Sequence, residues 1–150
     1  MNQKVTIEII CFLLILLFVY AALSKLLEYN TFKIQLRNSP FLKLIAGIIE
    51  WVIPTAELII AALLTVKHTR KIGLVASLML LLMFTVYIGG MLLSDSHLPC
   101  TCGGVIEQLT WKQHILFNLF FILLSATAIV LERKQKSESH GHSVASKILQ

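Results

Sequence analysis

Charge is what this chain has least of. Only 14% of its 150 residues are charged, whereas 57% are hydrophobic. A soluble domain of that length needs more charge to cover its surface, which excludes an ordinary soluble globule. The 13 basic residues outnumber the 8 acidic ones, for a formal net charge of +5. They gather at the ends of apolar runs, where cations set membrane orientation, and so do not mark a nucleic-acid partner. No internal repeat is visible. Nor does a small-x-small cleavage site precede Lys25. The first apolar run also exceeds the about 7–15 residues of a signal-peptide core, so it is expected to be retained.

What the chain has is apolar length. Val5 to Leu27, Leu44 to Val66, Ile72 to Leu93 and Trp111 to Leu131 are four such runs. Each suffices for the roughly 20 helical residues that cross hydrocarbon. Backbone groups find no water in lipid, so each run must be helical. The expected fold is all-α, an integral membrane four-helix bundle over residues 1–131. Residues 132–150 form a polar tail whose composition predicts disorder.

Basic residues predict the orientation. The side holding the N-terminus, the Lys67–Lys71 loop and the tail carries eight: Lys4, Lys67, Arg70, Lys71, Arg133, Lys134, Lys136 and Lys147. The other side carries five: Lys25, Lys33, Arg37, Lys43 and Lys112. Positive charge favours the cytoplasm. A multi-pass protein of the inner (plasma) membrane follows, with both termini cytoplasmic and the Ser94 to Thr110 loop outside.

Local signals fill in the connections. Glu28 to Asn38 is a polar connector whose Phe32, Leu36 and cations suit a segment lying in the interface. Ser39-Pro40 reads as an N-cap and first helical position. Pro54 lies inside the second run and should kink it. The short basic loop makes the second and third helices antiparallel neighbours, and Gly89-Gly90 permits close packing or loosening. Thr110 and Gln113 have capping-box spacing, which starts the fourth helix at Trp111.

The chemistry-bearing feature is Cys100-Thr101-Cys102-Gly103-Gly104 in the outer loop. Cysteines at i and i+2 can bridge only in a tight, strained turn. Strained disulfides are the labile ones, and the glycines supply the backbone freedom. Redox exchange, a static bridge and metal binding are all compatible with this pair. Cys11, inside the first apolar run, reads as packing.

Other polar residues stand close to the pair or deep in the apolar runs. His114, in the first turn of the fourth helix, can shuttle a proton or, when charged, stabilise a thiolate. It can equally be an interfacial histidine bonded to a carbonyl. Asn118 lies one turn deeper on the same face. With Cys100 and Cys102, His97 and His114 make a candidate Cu(I) or zinc set, since soft sulfur and imidazole suit those ions. Glu50 and Glu57 are seven residues apart and share nearly one face. Glu57 lies near mid-membrane, where a carboxyl must face the interior and have a partner. Lys25 is a candidate partner for Glu50, or a snorkelling cation. His140-Gly-His142 in the tail forms a weak metal-binding pair.

Together these residues resemble the MauE/DoxX group of redox-associated membrane proteins, specifically its MauE-like branch. The resemblance rests on Ser24-Lys25-Leu26, on Glu50-Trp51-Val52-Ile53-Pro54-Thr55-Ala56-Glu57 and on Phe84-Thr85-Val86-Tyr87. Its most specific part is Pro99-Cys100-Thr101-Cys102-Gly103-Gly104, followed by Leu109-Thr110-Trp111 and by His114 and Asn118. It covers roughly Ile7 to Leu131. The resemblance implies a DoxX-like four-helix membrane bundle that takes part in disulfide formation during maturation of methylamine dehydrogenase-like partners. It makes the protein a candidate thiol-disulfide oxidoreductase, with Cys100, Cys102 and His114 carrying the reaction. Lys25, Glu50, Glu57 and Asn118 would be intramembrane polar support. The DoxX relatives imply a quinone as electron acceptor, although no quinone motif is visible. A thioredoxin-like or substrate protein outside the membrane would be a separate partner. The rival class is a membrane scaffold or Cu(I)/zinc-handling protein using the same cysteines.

Overall fold

The computed structural model describes residues 3–38, 42, 44–93 and 111–148, with side chains at 3–34, 36, 37, 42, 44–90 and 113–135. These residues form five helices: α1 (Gln3–Leu27), α2 (Tyr29–Asn38), α3 (Ala46–Thr65), α4 (Arg70–Leu93) and α5 (Trp111–Ile148). There are no strands among them. Four stretches are long and apolar enough to cross a membrane: Gln3–Leu27, Ala46–Thr65, Arg70–Gly90 and Gln113–Gln135. The all-α, membrane-spanning architecture is thus as expected.

The four long helices close into a ring in which α1 packs on α3 and α5, and α4 packs on the same two. Ile7, Leu14, Phe18, Leu64, Leu74 and Ala128 fill its centre, and Cys11 is buried among them as packing. Large apolar side chains also cover the outside: Phe12, Leu16, Val86, Leu116 and Leu123 are all exposed. Water would penalise such a surface, whereas lipid does not. Ser77 on α4 and Ser125 on α5 are fully buried and share a hydrogen bond of 3.1 Å. Such a bond between helices satisfies two hydroxyls that hydrocarbon cannot.

Several boundaries differ from the expectation. Residues 39 and 40 lie outside the described residues, and α3 starts later, at Ala46 after an N-cap at Ile45. α3 then continues through Pro54. Phe32 and Leu36 of α2 are buried against Ala46, Leu42 and Ile49, so the apolar face of this connector packs on the start of α3. The α5 backbone is helical to Ile148, past the end of the fourth apolar run. Glu132, Arg133, Lys134 and Gln135 are good helix formers, and they continue a helix already nucleated in the membrane. At the α3–α4 turn, the Thr69 hydroxyl donates to the carbonyls of Leu63 and Val66 and so satisfies the end of α3.

Close helix approach occurs at Gly73, whereas Gly89, where close packing or loosening was expected, is not closely packed. A Cβ at Gly73 would lie 3.0 Å from the Leu64 backbone nitrogen, whereas one at Gly89 would meet nothing within 4 Å. Gly73→Val should therefore cost about 1–3 kcal/mol through overpacking against an unyielding backbone. Gly89→Ala should leave stability unchanged or raise it by up to about 1 kcal/mol, from helix propensity. Unfolding of both variants in mixed micelles distinguishes the two positions.

Candidate functional site

The site begins with the direction in which helical side chains lean. Each Cα–Cβ bond tilts toward its helix N-terminus. Lys25, near the C-terminal end of α1, therefore leans toward the membrane centre. α3 runs the other way, and Glu57 leans back toward the loop side. The two meet: Lys25 Nζ lies 2.8 Å from Glu57 Oε1, and the side chains are only 3% and 2% exposed. Glu57 is eleven residues beyond Ala46, roughly 16 Å along the helix at 1.5 Å per residue. That depth is near the middle of hydrocarbon about 30 Å thick.

The expected pairing of Lys25 with Glu50 is thus corrected. Lys25 pairs with the carboxylate two turns deeper along α3, and Glu50 instead accepts a 2.9 Å hydrogen bond from the Tyr29 hydroxyl. The antiparallel register explains the exchange, because Tyr29 is one turn beyond Lys25 and Glu50 two turns before Glu57. Nor does Lys25 snorkel. Its ammonium also donates to the Ala21 carbonyl at 3.3 Å and sits 5.5 Å from the centroid of the Phe84 ring.

Tyr29 was not foreseen, although its spacing from Lys25 is the signal that marks it. It packs on Trp51 with ring centroids 5.6 Å apart. The hydrogen bond to Glu50 is the main reason its phenol is held above the ordinary tyrosine value. That bond favours the protonated phenol, so its contribution is present below the ordinary tyrosine range and is lost as the pH rises through the raised value. In Glu50→Gln the phenolate should form at lower pH than in the parent protein. Ultraviolet titration of tyrosinate, with Tyr29→Phe as reference, checks the sign.

His114 and Asn118 stand one turn apart on α5, and both are 5% exposed. With Lys25, Glu57 and Phe84 they line one cavity of about 50 Å³, to which all four long helices contribute. Three polar atoms here are buried without a hydrogen-bond partner among the described residues: Glu57 Oε2, His114 Nδ1 and Asn118 Nδ2. The structure thus gathers Lys25, Glu57, His114 and Asn118, while Glu50 lies apart with Tyr29. Sequence reasoning placed the polar residues but missed Phe84 as the aromatic floor beneath the ammonium.

His97, Cys100 and Cys102 lie outside the described residues, and so do the side chains of His140 and His142. Among the described residues no group of three His, Cys, Asp or Glu could hold a metal ion. The loop bearing the cysteines leaves α4 after Leu93 and enters α5 at Trp111, one turn before His114.

Comparison with known proteins adds one finding. The family model described as "Methylamine utilisation protein MauE" matches residues 3–131. No curated protein and no solved structure gives a match.

Proposed function

The chain belongs to the MauE family, and from that premise we propose that it supports thiol–disulfide exchange at Cys100 and Cys102 on the outer face of the plasma membrane. One observation carries the reading. The buried cluster of Lys25, Glu57, His114 and Asn118 extends from the middle of the bundle toward the end where α1 stops and α5 begins, the end from which the cysteine loop departs. Ionisable groups inside a membrane are expensive and mark sites of function.

In the proposed reaction a thiolate of an extracytoplasmic protein attacks one sulfur of the Cys100–Cys102 disulfide. The other sulfur leaves as a thiolate, and a mixed disulfide forms. The partner's second thiolate then attacks the mixed disulfide, which releases the partner oxidised and the loop as a dithiol. Reoxidation of the dithiol passes two electrons and two protons to a membrane quinone, giving quinol. His114 and Asn118 keep polar groups in the first turns of α5, on the path proposed for those protons. The partner is a separate thioredoxin-like or substrate protein, as in maturation of methylamine dehydrogenase-like enzymes.

The orientation is tested directly. After mild reduction of intact cells, a membrane-impermeant thiol reagent should label Cys100 or Cys102, since disulfides persist outside the cytoplasm. Labelling only in broken membranes would reverse the topology and remove the oxidising compartment from the argument.

A further inference from the structure

The cavity lined by Lys25, Glu57, His114 and Asn118 has a chemistry of its own, independent of the cysteines. We infer that it holds a small cluster of water molecules through which His114 and Glu57 exchange a proton within the membrane. Its size fits. A water needs about 10–15 Å³ of such space, and the cavity offers about 50 Å³. Its lining fits as well, because a buried water needs two to four polar partners, on the order of what Glu57 Oε2, His114 Nδ1 and Asn118 Nδ2 provide.

The polarity of those three atoms selects the occupant. Asn118 Nδ2 needs an acceptor, and Glu57 Oε2 needs a donor. Water is both. A carbonyl ligand such as a quinone accepts from Asn118 but leaves Glu57 Oε2 unsatisfied, a costly outcome at this depth. The walls keep the cluster small: α4 lines the cavity with Leu81 and Phe84, and Phe117 adds a third apolar surface. The ionisable groups that face it are Lys25 from α1, Glu57 from α3 and His114 from α5.

In the transfer, the imidazolium of His114 gives a proton to a water and becomes neutral imidazole, while the cluster passes a proton to the Glu57 carboxylate at Oε2. The reverse step restores both groups. No electron moves, and no bond between heavy atoms changes. Lys25 holds the other carboxylate oxygen at 2.8 Å, which fixes Oε2 toward the water.

The test uses the full chain with Cys100→Ser and Cys102→Ser, reconstituted in lipid nanodiscs, so that a failure of the thiol reading does not affect it. Selectively labelled His114 and Asn118 should show nuclear magnetic resonance cross-peaks to water rather than to acyl chains. Glu57→Gln should keep the water cross-peaks, because the amide still bonds water, but slow imidazole proton exchange about 100-fold, the usual worth of a positioned proton-transfer group. Asn118→Leu should diminish the water signal, while the lipid-facing Leu116→Ala leaves both measurements unchanged. Acyl-chain cross-peaks alone, or equal proton exchange in the parent and Glu57→Gln, would overturn the proposal. So would displacement of the water signal by ring cross-peaks from added decylubiquinone.

Discussion

Lys25→Met should destabilise the protein by about 3–5 kcal/mol, the cost of leaving a buried charge without its partner. The carboxylate of Glu57 is 2% exposed, and Lys25 is the group that holds it. Met keeps most of the volume of the lysine stem, so the loss reports charge rather than packing. Glu57→Leu should cost a similar amount, because it strands the ammonium in the same place. The double variant Lys25→Met/Glu57→Leu should recover most of the loss, since apolar replacement of a whole buried pair is often neutral or stabilising. Unfolding in mixed micelles measures all three. A snorkelling lysine would behave otherwise: its single variants would cost only about 0–1 kcal/mol, as surface pairs do, and the double would simply add. The recovery of the double variant is therefore the decisive reading. It would also separate stability from function, since the double lacks the Glu57 carboxylate that the proposed proton exchange requires.

The fold was legible because the membrane simplifies the problem. Long apolar runs have only one way to satisfy their backbone, and the four spans fall close to where hydropathy puts them. Glu57 was legible for the same reason: a carboxyl that deep has to face inward and be paired. Its partner was not. Lys25 and Glu50 stand near the same membrane edge, and proximity in depth suggested that pair. The lean of side chains toward each helix N-terminus shifts both residues by a rung, and a reading by depth alone omits that shift. Gly73 shows a different gap. Its role is set by the backbone of Leu64, and no local pattern near Gly73 announces where another helix will approach. Gly89 has the conspicuous neighbour, Gly90, yet open space around it. Phe32 and Leu36 show a third case, because their amphipathic spacing announces a face to be covered but not that Ala46, Leu42 and Ile49 cover it.

The cysteine variants have the largest expected effect on function. Cys100→Ser and Cys102→Ser should each abolish dithiol–disulfide interconversion, and one of them should accumulate a mixed disulfide with a partner. The warrant is the spacing, since a bridge across one intervening residue is strained and a strained bridge opens readily. The remaining loop thiolate can still attack an oxidised partner, and without the second loop cysteine that mixed disulfide cannot collapse into a loop disulfide. Trapping is read by non-reducing electrophoresis after acid quench and alkylation, and the variant that traps identifies the cysteine that bonds the partner. His114→Ala should slow exchange near neutral pH while leaving the disulfide able to form, because the histidine moves or stabilises charge rather than supplying sulfur. A metal-handling protein predicts a different set of results on the same purified sample. Cu(I) or zinc would be stoichiometric, the thiols would resist alkylation until chelator is added, and no partner would be trapped. In that case His114→Ala would lower metal content instead of slowing exchange. The sulfur chemistry and the metal chemistry use the same side chains, but only exchange requires one cysteine to leave while the other stays bonded.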